Sequence, residues 1–222
     1  MKKSALRDRA QRNYDQKSQN LGIAQYKRLC GSGMTEDEKI VVQKYTARGD
    51  TVLEIGAGVF HRTAEFYTAL QLQFFGVEPL IGIALNGQYF SQTVIEHFSP
   101  GSLNNPIIAD KTFSFVGCFG LVLNGIISKE RAVDFWAGLE ILAHEHNAII
   151  ALDTLIAPYS SNAEEEFHTA QRGKLHSSAI GQYFPSRAEI HREVKAHRLH
   201  IIAEYDSVVM STQQKLMILK AV

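Results

Sequence analysis

The chain closes with two strand-like runs, His200 to Met210 and Lys215 to Val222, joined only by Ser211-Thr212-Gln213-Gln214. A parallel crossover needs a dozen residues or more, so this last pair must be antiparallel. Everything from residue 35 to that point alternates helical and strand-like segments, the pattern of an α/β chain built on a parallel sheet. Few architectures combine the two.

The individual segments can be placed from their patterns. Thr35-Glu36-Asp37-Glu38 is a capping box, and predicts a helix running to about Tyr45. Thr51 to Ile55 is a short apolar run stopping at a glycine turn, which reads as a buried strand. A helix from Thr63 to Leu70 follows, then a second strand from Gln73 to Glu78, closed by Pro79. After a helical stretch in the eighties and nineties, Pro106 to Asp110 reads as a third strand and Phe113 to Phe119 as a fourth. Ser128 caps a long amphipathic helix with Ala132, Phe135, Trp136, Leu139 and Leu142 on one face. Ala148 to Leu152 is almost wholly apolar, as in a central parallel strand. Residues 156–184 are polar and irregular, with one helix expected near Asn162 to Arg172. Ser186-Arg187-Ala188-Glu189 is a second capping box, for a helix ending near Ala196.

At 222 residues the chain suits one domain, here residues 35–222 behind a basic arm, residues 1–34. The longest apolar stretch, Phe113 to Ile127, is broken by Ser114, Gly117, Gly120, Asn124 and Gly125 and is too short to span a membrane. Two cysteines, Cys30 and Cys118, do not make a disulfide framework, and no apolar run follows the first lysines, so a cytoplasmic protein is expected. The net charge of zero is uneven: residues 1–30 hold eight basic and two acidic residues, and the rest carries −6. A body of that sign repels phosphate backbones, which weighs against nucleic acid as a partner. The arm reads more simply as a solvated terminus, or as a helix folded back on the acidic body.

In a doubly wound sheet, ligands bind beyond the carboxyl ends of the strands. The first strand ends in Glu54-Ile55-Gly56-Ala57-Gly58, where glycines let a ligand approach the backbone. The second ends in Glu78, twenty residues past Gly58, a spacing at which a carboxylate can accept both hydroxyls of a ribose. The expected third ends in Asp110, placed for an exocyclic amine. Together these describe a pocket for an adenosine-bearing molecule.

The pattern resembles the class I S-adenosylmethionine-dependent methyltransferases. The resemblance rests on Val52 to Gly58, Gly76-Val77-Glu78-Pro79, Ala109-Asp110, Phe113 to Val116, and Gln182 to Ile190 followed by Leu199 to Glu204, in family order over about residues 35–222. It implies a doubly wound, mostly parallel seven-stranded sheet with an antiparallel last strand, in three αβα layers. It also implies S-adenosylmethionine as cofactor. On that reading Glu54 orients the glycine loop or the methionine amino group, and Gly56, Ala57 and Gly58 lie against methionine and ribose. Glu78, with Pro79 behind it, holds the ribose, Asp110 the adenine amine, and Lys111 and Phe119 flank the adenine and the methyl-donating side. The sequence departs from the family at Phe60 (a glycine), at Ser114 (an acid), at Leu123-Asn124-Gly125 (a histidine pair in many members) and at His144-Glu145-His146-Asn147 (a glycine turn).

A nicotinamide dehydrogenase also wants an acid after the second strand, but its fingerprint requires a sixth-position glycine where this chain has His61. No histidine spacing suits a metal, so none is expected. Tyr14 in the basic arm, and His168, His176 and Tyr183 in the segment where this family builds its acceptor pocket, are the acceptor-side candidates. The expected reaction is methyl transfer to a small-molecule acceptor, with no membrane partner and no catalytic base identified. Two other readings stay open: a regulatory protein that binds the cofactor without transfer, and an RNA or protein methyltransferase that grips its substrate with the basic arm.

Overall fold

The computed structural model describes residues 33–58, 60–80, 88–120, 122–126, 128–156, 167–169, 181–183, 185–209 and 212–222, together with Arg12. Of the basic arm, residues 1–32 apart from Arg12 therefore lie outside the described residues, Tyr14 among them, as does His176.

Helix α1 (Glu36–Tyr45) starts at the expected capping box: the Thr35 hydroxyl accepts the Glu38 N–H, and the Glu38 carboxylate accepts the Thr35 N–H at 2.6 Å. It leads into β1 (Thr51–Ile55), α2 (Ala64–Ala69) and β2 (Gln73–Val77). Next come β3 (Thr93–Val94), β4 (Phe115–Cys118), the one-turn α3 (Val122–Gly125), α4 (Lys129–Glu145) and β5 (Ile149–Ile156). A ribbon of β6 (Phe167–Thr169) and β7 (Gly181–Tyr183) follows, then α5 (Arg187–Ala196) and the hairpin of β8 (Leu199–Val209) and β9 (Thr212–Ala221).

Seven strands form one sheet in the order β3-β2-β1-β4-β5-β9-β8. The first five are parallel and β9 runs antiparallel to both neighbours, as the short final connection requires. Strand alternation sends Leu53, Val116 and Leu152 to one face, against Phe135, Trp136 and Leu139 of α4 and Ile190 and Val194 of α5. Val52, Phe115 and Ala151 go to the other, against Val41 and Val42 of α1 and Tyr67 of α2. This is the expected three-layer αβα architecture. Asn147, at φ 53°, makes the left-handed turn into β5 in place of a glycine.

Three expected elements differ. The third strand is Thr93–Val94, paired with Gly76 and Val77, while residues 106–110 form turns. There the Asn105 carbonyl accepts the N–H groups of Ile108 and Ala109, and the Asn105 side chain accepts that of Ile107. These local bonds consume the donors that a strand would offer a neighbour. Of the helical stretch expected in the eighties and nineties, residues 81–87 lie outside the described residues, and the described part begins with a 3-10 turn, Phe90–Gln92. Finally, the helix expected over 162–172 is replaced at 167–169 by β6, which pairs with β7 and places His168 opposite Gln182.

Candidate functional site

The carboxyl ends of β1, β2 and β4 converge on the loop that follows β1. Its backbone is drawn toward β2: the N–H groups of Gly56 and Ala57 both donate to the Val77 carbonyl, at 2.8 and 3.2 Å. Gly56 and Gly58 take φ values of 73° and 57°, left-handed conformations that suit glycine. A side chain on Gly56 would also meet Val122 Cγ2 at 2.6 Å. Opposite, a Cβ on Gly76 would lie 2.5 Å from that of Ala57 and 2.6 Å from the Phe60 ring, so β2 needs a glycine for the loop to close upon it.

Glu78 stands at the end of β2, as its spacing predicted. One carboxylate oxygen accepts the Gly58 N–H at 2.7 Å and the other accepts the Leu80 N–H at 2.8 Å. Pro79, which has no N–H of its own, turns the chain so that Leu80 can reach back. Burial pushes the Glu78 carboxyl up to about 7, against the pull of the two backbone donors.

Glu54 points to the α1–α2 face. The Thr63 hydroxyl donates to it at 2.5 Å, which ties β1 to the residue preceding α2. Burial pushes it up to about 8, with Thr63 and the nearby Arg62 acting in the opposite sense. Tyr67, wholly buried, lies close enough for the Glu54 charge to help raise its hydroxyl pKa. Arg62 donates to both oxygens of Glu38, at 2.9 and 2.8 Å, and through Nε to the Gly33 carbonyl at 3.1 Å. It thereby fastens the start of α1 to the glycine loop, a link between residues 24 apart in sequence.

Asp110 and Lys111 do not join this group. They pair with each other in the segment entering β4 from its amino end, where the Ser114 N–H bonds the Thr51 carbonyl at the start of β1. Lys111 lies over the ring of Phe75, in mid-strand. A strand rises about 3.3 Å per residue, so five residues of β1 separate this segment from the glycine loop. The acid just beyond the observed third strand is Glu96, which is exposed. Ser114 is likewise at the amino end, its hydroxyl toward the Thr51 carbonyl.

Phe119 does follow β4, and its ring is buried over Gly117, tilted against Phe115. Phe60 packs beneath the loop against Phe74 and Tyr89, with centroids 5.1 and 5.7 Å away. His168 and Tyr183 lie on the ribbon, whose strand β7 packs on the α3 turn beside the carboxyl end of β4. Among the described residues, no cluster of histidine, cysteine and carboxylate could hold a metal, and no helix is long and apolar enough to cross a membrane. His144 and His146 serve the fold: His144 Nε2 lies 3.1 Å from the Arg198 carbonyl, and His146 Nδ1 accepts the Phe113 N–H and its ring stacks on that residue.

Asn124 lies within Leu123-Asn124-Gly125, where the sequence departs from the resembled family. It is fully buried, and its amide is engaged with Thr154 and Leu155 of β5.

No protein-family model matches the sequence, and no curated protein matches it significantly. Solved structures do match. Magnesium protoporphyrin IX methyltransferase from Synechocystis PCC 6803, with bound S-adenosylhomocysteine, superposes with TM-score 0.62 at 13% identity, over 96% of this chain and 100% of that one. An S-adenosylmethionine-dependent methyltransferase from Clostridium acetobutylicum gives 0.60 at 13% identity, over 88% and 96%. A protein described as a [4+2]-cyclase gives 0.57 at 10%, over 84% and 80%. The fold is therefore that of the class I methyltransferases. At such identities the likeness establishes the fold alone, and function must be argued from the site.

Proposed function

We propose that this protein binds S-adenosylmethionine at the carboxyl edge of β1 and β2 and transfers its methyl group to a small-molecule acceptor. The observation that carries this reading is Glu78: a carboxylate beside a left-handed glycine loop, bonded only to the N–H groups of Gly58 and Leu80 among the contacts described for it. Each carboxylate oxygen has capacity for a further donor, which suits the two hydroxyls of a ribose. Gly56, Ala57 and Gly58 supply a surface without side chains large enough to hold a nucleoside away. Glu54, through Thr63, holds the loop's exit, and Glu96, past the observed third strand, takes the adenine-side role expected of Asp110.

The cofactor supplies a methyl group made electrophilic by its sulfonium. The chain's own contribution is then alignment of the acceptor and exclusion of water, which can supply most of the rate enhancement without a dedicated base. Asn124 is not a base, because its amide is neutral and occupied by β5. Tyr14, His168, His176 and Tyr183 remain the acceptor-side candidates. No Asn-Pro-Pro-Tyr-like element follows β4, and with the negative body this favours a small cytoplasmic acceptor over nucleic acid.

The direct test is calorimetric titration with S-adenosylmethionine and S-adenosylhomocysteine, with NADH as control, on wild type and Glu78→Ala. Micromolar binding of both sulfur nucleosides, weakened at least tenfold in the variant, supports the cofactor, and an acceptor screen then tests transfer. Binding of NADH alone, or of no ligand, overturns it.

A further inference from the structure

Strand β5 outruns β4. Their ladder ends at Cys118 and Leu152, yet β5 continues to Ile156. Beyond that point, among the described residues, the flank of β5 facing β4 has no strand beside it, and a buried backbone N–H or C=O left unpaired is costly. Asn124 fills the gap. Its Nδ2 donates to the Leu155 carbonyl at 3.0 Å, and its Oδ1 accepts the Leu155 N–H at 2.9 Å and the Thr154 hydroxyl at 3.2 Å. A primary amide has a donor and an acceptor side by side, so it bonds both backbone groups of one residue, as a neighbouring strand residue would.

This pairing ties α3 to β5, and α3, besides its contact with β7, is packed on two further sides. Leu123 enters the main core, and Val122 abuts Gly56, where an added Cβ would meet it at 2.6 Å. Val122 and Asn124 share this one turn, so the residue against the glycine loop and the residue bonded to Leu155 move together.

We propose that Asn124 is a positioning residue: by pairing with Leu155 it sets, through Val122, the wall that faces the cofactor at Gly56. The assignment rests on the methyltransferase reading. It predicts that loss of the Asn124 amide weakens cofactor binding beyond what destabilisation alone produces, and that the effect runs through Val122.

The test measures S-adenosylhomocysteine affinity and thermal stability for wild type, Asn124→Ala, Asn124→Asp, Val122→Ala and the two double variants with Val122→Ala. Leu139→Ala, a buried truncation on α4 outside the site, is the stability control. Asn124→Asp keeps the acceptor for Leu155 N–H and loses the donor to its carbonyl, and it carries the test if Asn124→Ala does not fold. The expected result is a tenfold or greater loss of affinity in the Asn124 variants, with Leu139→Ala within threefold of wild type at a comparable fall in stability. In the Val122→Ala background the Asn124 effect should shrink to threefold or less. Affinity unchanged in the Asn124 variants, or a loss that Leu139→Ala reproduces, overturns the proposal while leaving the cofactor reading intact. Wild type that binds no sulfur nucleoside overturns both.

Discussion

The Glu78 carboxylate accepts the backbone N–H of Gly58, twenty residues earlier, at 2.7 Å. This bond joins the two features that would face a nucleoside, so the acid proposed as the ribose acceptor is also part of the loop's construction. Glu78→Ala should therefore do two things. It leaves the Gly58 and Leu80 N–H groups without their acceptor, at a cost of about 1–3 kcal/mol of stability. It also removes the proposed ribose acceptor, and should lower affinity for S-adenosylhomocysteine tenfold or more. Glu78→Gln, which keeps one acceptor oxygen but sets an NH2 against the second N–H, should recover only part of the stability and little of the affinity. Denaturant titration alongside calorimetry separates the two effects.

Arg62 and Glu38 form a two-point ion pair in which the Glu38 side chain is only 2% exposed. Removing the guanidinium leaves a buried carboxylate without its cation, which typically costs about 3–5 kcal/mol. Arg62→Ala should be destabilised by that order in urea unfolding. Arg62→Met combined with Glu38→Gln should recover part of it, because no charge is then stranded. If the single variant loses under 1 kcal/mol, the pair does not hold α1 to the glycine loop.

The glycines differ in what they protect. Gly49, at φ 89°, has open space around it, so Gly49→Ala should cost about 1–2 kcal/mol from backbone conformation alone. Gly56 has φ 73° and also Val122 in its path, so overpacking adds about 1–3 kcal/mol. Gly56→Ala should accordingly unfold at lower denaturant than Gly49→Ala. It should also bind S-adenosylhomocysteine more weakly, whereas Gly49→Ala should bind like wild type.

Local signals carried most of the fold. Thr35 and Ser186 began helices where their capping boxes stood, and the short connection between the last strands dictated their antiparallel pairing. Glu78 was legible because strand, loop and helix lengths in a βαβ unit fix its spacing from Gly58. Asp110 was misplaced because Pro106 to Ala109 has a strand's composition, while β3 is two residues long and shows no periodicity. Asn124 was not legible as a strand surrogate at all. Its role is defined by Leu155, 31 residues away, and by the different lengths of β4 and β5, which no local pattern records.

Phe60 sets two terms against each other. Its backbone is left-handed at φ 55°, where a non-glycine residue costs about 1–2 kcal/mol. Its ring is 2% exposed between Phe74 and Tyr89, and truncating such a ring costs about 3–5 kcal/mol. The packing term is larger, so Phe60→Gly should destabilise by about 2–3 kcal/mol while affinity for S-adenosylhomocysteine stays within threefold. A stabilised Phe60→Gly in urea unfolding would show that the strain, not the ring, decides.

Glu54 and Glu78 give stability a pH dependence of defined sign. Burial raises both, to about 8 and about 7, from an ordinary value of 4.5. Across that interval the folded protein binds more protons than the unfolded chain, so unfolding releases them and stability falls as pH rises. Below about pH 4.5 both states are protonated and these groups contribute no slope. The loss should begin above that value, and above about pH 7 Glu54 alone should extend it to about 8. Glu54→Gln keeps an acceptor for the Thr63 hydroxyl and cannot ionise. It should match wild type near pH 5, exceed it near pH 8, and flatten the upper part of the profile. Urea unfolding at half-unit steps from pH 5 to 8.5 checks this, and a wild-type stability that rises through that window would show that both carboxyls are ionised in the folded protein well below neutral pH.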